Sequence, residues 1–170
     1  MTRFVAAVLV VLCVSVAACG KESPTSPSET VTFTAKLLPA SEVPPVTNAE
    51  SGGSSTVTVR MYLTRDGTGA ITEATADIDV QLTGFPANTP VTAVHIHTGA
   101  AGALGPVLVD SGISPTYLRL TNGSGGFTAV RASVSVPAAQ SILANPSGVY
   151  VDAHTTLNPD GVARGQLTAS

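Results

Sequence analysis

Alternation of apolar and polar side chains in several segments is the feature that most constrains the fold of this chain. Residues 31–37, 57–63 and 74–82 each carry apolar side chains at every second position. Side chains two residues apart point to the same face of a β-strand, so this period predicts strands with one buried and one solvated face. Asp66 and the following glycine separate the second and third segments, which predicts a β-hairpin.

Further segments have the length and composition of short strands, and Gly, Pro and Asn separate them. They cover residues 91–98, 107–110, 117–121, 127–136, 149–155 and 162–168. Pro137 suits the first turn of a short helix over 137–144, and residues 158–161, Asn-Pro-Asp-Gly, have the pattern of a type I turn between the last two strands. The sequence therefore predicts an all-β fold, a Greek-key-like antiparallel β-sandwich with one short helix.

The amino-terminal residues have the pattern of an export signal. Arg3 precedes an uninterrupted apolar run over residues 4–14, which is shorter than the ~20 residues that cross a bilayer. Val16-Ala17-Ala18-Cys19 resembles the lipobox of bacterial lipoproteins, which implies cleavage before Cys19 and acylation of its thiol. An ordinary cleaved signal is the alternative, but it leaves Cys19 as an unexplained free thiol in an exported protein.

The chain accordingly divides into three parts. We predict a lipoprotein signal peptide at residues 1–18, the lipidated Cys19 with a flexible tether to residue 30, and a folded domain at 31–170. Cys13 leaves with the signal, so no intrachain disulfide can form. The expected location is the cell envelope, where the lipid anchor attaches the domain to a membrane and the domain faces the periplasm or the exterior.

Charge and motifs exclude several function classes. Lys and Arg number 8 and Asp and Glu 11, which gives a net charge of −3 and no basic patch for nucleic acid. The sequence has neither a Gly-x-Ser-x-Gly nucleophile elbow nor a phosphate-binding loop. We therefore expect a non-enzymatic binding or scaffolding module, with the membrane and an envelope or extracellular protein as its partners.

The histidines are the main candidates for chemistry. All three lie in residues 94–99 and 150–155. His95 and His97 share one face of a predicted strand, and His154 completes a three-nitrogen copper or zinc site if its strand lies alongside. The alternative is that the imidazoles form hydrogen bonds to backbone or carboxylates. No Cys, Asp or Glu cluster at metal spacing is evident, so the sequence alone slightly favours this alternative.

Several motifs together resemble the CHRD domain, first described in chordin. They are residues 37–46 (Leu-Leu-Pro-Ala-Ser-Glu-Val-Pro-Pro-Val), 51–54 (Ser-Gly-Gly-Ser), 95–99 (His-Ile-His-Thr-Gly), 105–107 (Gly-Pro-Val) and the closing motif at 150–167. The resemblance spans about residues 31–168 and implies a β-sandwich without a defined activity. Asp152 departs from the pattern, because the family often has Asn there.

The resemblance also groups side chains from separate motifs. It implies that these residues meet in space, as a buried polar cluster or an ion site: Glu42, His95, His97, His154 and Arg164. We expect a structural role for Arg164, as a bidentate ion pair with Glu42 or Asp152 that ties the last hairpin to an earlier segment.

A second resemblance is to copper–zinc superoxide dismutases. His95, His97 and His154 match the copper-side histidines in chain order, and Arg164 matches the arginine that guides the anion. The zinc-loop ligands and the structural disulfide have no counterpart in this sequence. The resemblance implies at most a residual copper site and no dismutase activity.

Overall fold

The alternating segments build the first of two antiparallel sheets in the computed structural model, which describes residues 28–114 and 117–170. The first sheet contains β1 (Ser28–Leu37), β2 (Ser54–Arg65), β3 (Ile71–Thr83), β7 (Gly125–Val134) and β10 (Thr168–Ala169), in the spatial order β10-β1-β2-β3-β7. The second contains β4 (Pro90–Thr98), β5 (Val107–Asp110), β8 (Val149–Thr155) and β9 (Ala163–Gln166), in the order β5-β4-β8-β9, and β6 (Leu118–Arg119) pairs with β4. The predicted all-β sandwich is confirmed.

The inward-facing residues of both sheets form one apolar core. Phe33 and Ile78 of the first sheet and Val151 of the second are each at most 1% exposed. The predicted β2–β3 hairpin is present, and Asp66 fixes its turn by accepting hydrogen bonds from the backbone N–H groups of Thr68 (2.8 Å) and Ala70 (3.1 Å).

One α-helix, α1 (Val136–Ala144), occurs in the described ranges and leads from β7 to β8. Its first turn is capped by Ser135, whose hydroxyl accepts from the backbone N–H of Ala138 at 3.3 Å. Ala139 and Ile142 are buried and attach the helix to the core. Two 3₁₀ turns, Pro39–Ser41 and Pro146–Gly148, follow β1 and α1.

The amino-terminal boundary of the domain lies slightly earlier than the sequence suggests. β1 begins at Ser28, so residues 28–30, which we assigned to the tether, pair with β2. Arg65 and Glu29 form an ion pair at 2.8 Å beside this pairing. Backbone pairing needs no apolar side chain, and the alternation therefore marks the buried part of the strand and not its start.

The predicted strand over 162–168 is two strands, because the chain changes sheets after Gln166. β9 pairs with β8 in the second sheet, and β10 pairs with β1 in the first. Leu38 and Arg164 exchange two backbone hydrogen bonds of 3.0 and 3.2 Å, so the end of β1 meets β9 at this edge. The two sheets are thereby joined beside the carboxyl-terminal hairpin.

Both faces of β8 are buried, and this positions the candidate site. All seven of its residues are buried, although only Val149, Val151 and Ala153 join the apolar core. Segments 99–106 and 156–161 cover the other face, where they contact polar side chains of β4, β8 and β9. Segment 38–50 covers it too, with Glu42 buried near Asp152 and His154. We call these three segments the roof.

The expected signal peptide and Cys19 lie outside the described residues. Within 28–114 and 117–170, no helix has the length and hydropathy needed to cross a membrane.

Candidate metal centre

Three imidazoles and one carboxylate converge beneath the roof. One potential ligand atom each from His95, His97, Asp152 and His154 lies within 4.8 Å of all the others. His95 Nδ1 is 3.1 Å from His154 Nε2. Asp152 Oδ1 is 3.0 Å from His154 Nε2 and 3.2 Å from His97 Nε2. The two histidine segments therefore lie side by side, with their ring nitrogens directed to a common centre.

The register between β4 and β8 produces this convergence. The strands are antiparallel neighbours, with His95 opposite Asp152 and His97 opposite Tyr150. Val94 and Ile96, which alternate with the histidines, are fully buried in the core. A shift of one residue in the β4–β8 pairing would move these apolar side chains out of the core. Core packing therefore fixes the register and directs both histidines to the roofed face.

Two of the three imidazoles are oriented through their outer nitrogens. His97 Nδ1 lies 2.9 Å from the carbonyl oxygen of Gly105, and His154 Nδ1 lies 2.9 Å from that of Pro159. A carbonyl oxygen only accepts, so we assign a hydrogen to both Nδ1 atoms. Donation from the outer nitrogen to a backbone carbonyl is the arrangement that orients metal-binding histidines.

The inner atoms of the cluster lack a donor when the rings are neutral. With hydrogen on Nδ1, the Nε2 atoms of His97 and His154 carry lone pairs, and both face the Asp152 carboxylate, which is also an acceptor. His97 Nε2 is buried, and a neutral His97 ring has no hydrogen at Nε2 to donate to the Asp152 oxygen 3.2 Å away. Three hydrogen-bond acceptors thus surround one point, and only a proton or another cation at that point makes their contact favourable.

The pKa values of Asp152, His97 and His154 also indicate that positive charge is favoured at this point. Burial alone would raise the pKa of Asp152, but hydrogen bonds from His154 and His97 outweigh burial, and the pKa falls to about 2. Burial alone would lower the pKa values of His97 and His154, yet the nearby Asp152 carboxylate raises both. The pKa of His95 is lowered by burial and by His154. The carboxylate is therefore ionised at neutral pH and available to a cation.

A metal ion fits this set of ligands. Tetrahedral bonds of about 2.0–2.1 Å separate ligand atoms by roughly 3.4 Å, close to the distances of 3.0–3.2 Å between neighbouring atoms of the cluster. Imidazole nitrogens combined with one carboxylate suit Zn(II) or Cu(II). The side chain of His95 is 22% exposed, whereas that of Asp152 is 5% exposed, so the cluster opens to solvent at His95.

Glu42, which the resemblance groups with the histidines, is buried beside the cluster. Burial and, next, the negative charge of Asp152 raise its pKa to about 7. Its Oε1 atom has no hydrogen-bond partner in the described part of the chain. The carboxylate packs against Gly161, where a Cβ atom would lie 2.8 Å from both of its oxygens. Glu42 therefore influences the cluster electrostatically, without a hydrogen bond from its Oε1 atom to any of the four residues.

Arg164 does not form the ion pair that the sequence led us to expect. Its Nη2 donates to the carbonyl oxygens of Ala100 (2.9 Å) and Ala103 (2.7 Å), and its Cζ lies 3.4 Å from the centre of the Tyr150 ring. Among the described residues, no salt bridge joins Arg164 to Glu42 or Asp152. The reason is that the roof brings backbone carbonyls to the guanidinium, while His97 and His154 already occupy the Asp152 carboxylate.

The sequence reasoning did not identify Asp152 as a potential metal ligand. A signal was present, because Tyr150, Asp152 and His154 alternate along one strand in the same way as His95 and His97. Tyr150 is a second addition: its ring stacks on His97 with centroids 4.8 Å apart and planes 4° apart, and Arg164 also packs on it. The Tyr150 ring packs against the face of the His97 ring and so limits its rotation.

The fold and the site define a class: an antiparallel β-sandwich with an imidazole–carboxylate cluster on the roofed outer face of one sheet. The family model of the CHRD domain matches residues 33–167. The chain belongs to the CHRD family, whose domains are extracellular or envelope modules. No curated protein and no solved structure matches the chain.

Proposed function

We propose that this protein is an exported, lipid-anchored and non-enzymatic module of the cell envelope. Three sequence features support the proposal: the apolar signal over residues 4–14, the lipobox that ends at Cys19, and the hydroxyl- and proline-rich tether that precedes β1. Membership of the CHRD family agrees with an extracellular or envelope location. No nucleophile paired with a general base was found in the sequence, and binding is therefore the proposed role.

The ligand that the geometry supports best is a divalent transition-metal ion, Zn(II) or Cu(II). The observation that carries this proposal is that Asp152 Oδ1 lies 3.0 Å from His154 Nε2 and 3.2 Å from His97 Nε2. The outer nitrogens of both rings already form hydrogen bonds to backbone carbonyls. A protonated imidazole would also make this contact favourable, so metal loading is the measurement that separates the two arrangements. His95 Nδ1 supplies the fourth ligand atom at the solvent-facing side.

The surrounding residues hold the ligands in place. Gly105 and Pro159 fix the tautomers of His97 and His154, and the stacked ring of Tyr150 limits rotation of the His97 ring. Burial of Asp152 excludes water from one side, so its negative charge acts on a bound ion with little screening. Preorganisation of this kind favours tight binding because few side chains must be ordered when the ion enters.

Metal binding can be tested on the mature protein in detergent. Metal-free protein is loaded with Zn(II) or Cu(II), dialysed and measured by elemental analysis, and the Cu(II) form is examined by electron paramagnetic resonance. We expect one ion per chain and hyperfine splitting from nitrogen ligands. His97→Gln and Asp152→Asn should weaken binding by at least roughly tenfold, in line with the loss of a ligand or of its support.

Asp79→Asn is the matched control, because its carboxylate lies on the outer face of the first sheet and bonds Thr128 at 2.8 Å, away from the cluster. It should bind metal like the parent protein. Equal metal content in the parent and His97→Gln proteins would remove the metal-binding proposal and leave a hydrogen-bonded polar cluster.

A further inference from the structure

A separate cavity of about 290 Å³ lies between the first roof segment and the 157–161 turn. None of the four potential metal ligands lines it. Its walls are mixed, with polar side chains beside an apolar part that includes Pro44, Pro45 and Leu157. Its size is near the lower limit of small-molecule sites, which suits one slender side chain or a small ligand.

The charged lining residues of this cavity are all acidic. They are Glu42 and Asp160, and no Lys, Arg or His contributes to the lining. Arg164, whose charge acts on Glu42, directs its Nη2 to two backbone carbonyls and forms no ion pair with Glu42 among the described residues. Nothing in the described lining therefore neutralises a negative charge at this position.

Of the two acidic lining residues, Glu42 is unusual because its side chain is buried. It is only 7% exposed, and its Oε1 has no hydrogen-bond partner among the described residues. A buried carboxylate oxygen without a hydrogen-bond partner is costly, and burial together with the Asp152 charge raises the pKa of Glu42 despite the nearby positive charges of His154, Arg164 and His97. A donor or cation that enters the cavity would supply the missing partner.

We propose that this cavity binds a primary alkylammonium group, with the ammonium donating to Glu42, Asp160 as the second negative charge, and the aliphatic chain against Pro44, Pro45 and Leu157. An ammonium on a short methylene chain matches both halves of the lining, since its charged end needs carboxylates and its stem prefers apolar contact. Such a group occurs at the end of a lysine side chain and in free amines. The site does not depend on metal binding, because it uses other side chains.

The test is an NMR titration of the ¹⁵N-labelled mature protein in detergent micelles, at pH 8. The probes are n-butylammonium chloride, the uncharged n-butanol, and N-acetyl-lysine-N-methylamide. We expect saturable amide shifts confined to residues 42–48 and 157–161 with n-butylammonium, with a Kd of roughly 1–10 mM, and little effect of n-butanol. Tighter binding of the lysine derivative would identify a lysine side chain as the source of the ammonium, and equal or weaker binding would identify a free amine.

Glu42→Gln removes the charge with little change of shape and should weaken n-butylammonium binding by at least roughly tenfold. Glu73→Gln, an exposed position on β3, is the matched control and should bind like the parent protein. Equal binding of n-butylammonium and n-butanol, or unchanged binding by Glu42→Gln at a preserved melting temperature, would overturn the proposal. Because the metal test uses other variants, His97→Gln and Asp152→Asn, failure here leaves the metal proposal intact.

Discussion

At the scale of single residues, two buried carboxyl groups have opposite protonation behaviour. The pKa of Asp152 falls to about 2 because His154 and His97 hydrogen-bond to it and outweigh burial, whereas burial and the charge of Asp152 raise the pKa of Glu42 to about 7. Near neutral pH, Asp152 is ionised and Glu42 is partly protonated. Titratable groups whose environments separate their pKa values in this way are typical of functional sites.

The raised pKa of Glu42 predicts a specific pH dependence of stability. The folded state binds more protons than the unfolded chain between pH 4.5 and about 7, so the contribution of Glu42 to the free energy of unfolding declines as pH rises through this window. Glu42→Gln retains the neutral shape, and we expect it to be more stable than the parent at pH 8, by up to roughly 3 kcal/mol, and nearly equal at pH 4.5.

Thermal denaturation of metal-free protein at both pH values measures this difference. Glu73→Gln is the control, since Glu73 is exposed on β3. It should change the melting temperature only slightly, and by the same amount at both pH values. A Glu42→Gln protein that is less stable than the parent at pH 8 would show that the ionised carboxylate has a favourable partner.

Arg164 gives a second prediction at this scale. Arg164→Ala leaves the carbonyls of Ala100 and Ala103 without their donor and removes the cation from the Tyr150 ring. We expect the free energy of unfolding to fall by roughly 3 kcal/mol. Arg164→Lys should recover only a small part, because an ammonium cannot reproduce the stacking of the planar guanidinium on the Tyr150 ring.

Chemical denaturation measures these changes. Arg119→Ala is the control, since Arg119 is exposed and its contact with the Asn88 carbonyl is long, at 3.4 Å. An unchanged denaturation midpoint in Arg164→Ala would contradict a structural role for this side chain.

At the scale of elements, the turn between β8 and β9 connects the imidazole–carboxylate cluster with the cavity that Glu42 lines. Pro159 accepts from His154 Nδ1, and Gly161 faces the Glu42 carboxylate. The backbone of Gly161 has φ +136°, a conformation that other residues rarely adopt. The turn thus requires glycine for two reasons, its backbone conformation and the space taken by Glu42.

Gly161→Ala should therefore be strongly destabilising. Its Cβ atom would lie 2.8 Å from both oxygens of Glu42, and we expect a loss of at least roughly 2 kcal/mol in the free energy of unfolding. Gly67→Ala, in the β2–β3 turn, is the matched control, because nothing lies within 4 Å of its Cβ position. Thermal melts that show equal effects at both sites would argue against the packing described here.

Local patterns predicted the strands well but not the covering of β8. Residues 149–155 were predicted as a strand from their length and composition, which do not indicate whether the face of Tyr150, Asp152 and His154 is covered. That face is buried by segments from three distant parts of the chain, which the alternation within one strand does not encode. The partners of Arg164 were missed for a related reason: they are backbone carbonyls, and a carbonyl has no residue-specific sequence signal.

At the scale of the whole molecule, β1 separates Ser28, the first described residue, from the imidazole–carboxylate cluster. The other end of the strand leads to Leu38, which pairs with Arg164. Arg164 in turn stands opposite Asp152 in the β8–β9 register. A strand of 10 residues spans roughly 33 Å, so the cluster lies near the end of β1 that is remote from Ser28. If the proposed anchor at Cys19 holds the chain, we propose that the cluster faces away from the membrane.

This arrangement depends on acylation of Cys19, which labelling with a radioactive fatty acid tests directly in cells that express the full chain. We expect the parent protein to incorporate label and Cys19→Ser to incorporate none, because the serine hydroxyl does not replace the thiol that the lipobox presents. Cys13→Ser is the matched control: residue 13 lies in the apolar run ahead of the cleavage position, so label should remain. Incorporation of fatty acid into Cys19→Ser, or its absence from the parent protein, would contradict the lipid anchor and leave the orientation of the cluster relative to a membrane without a basis.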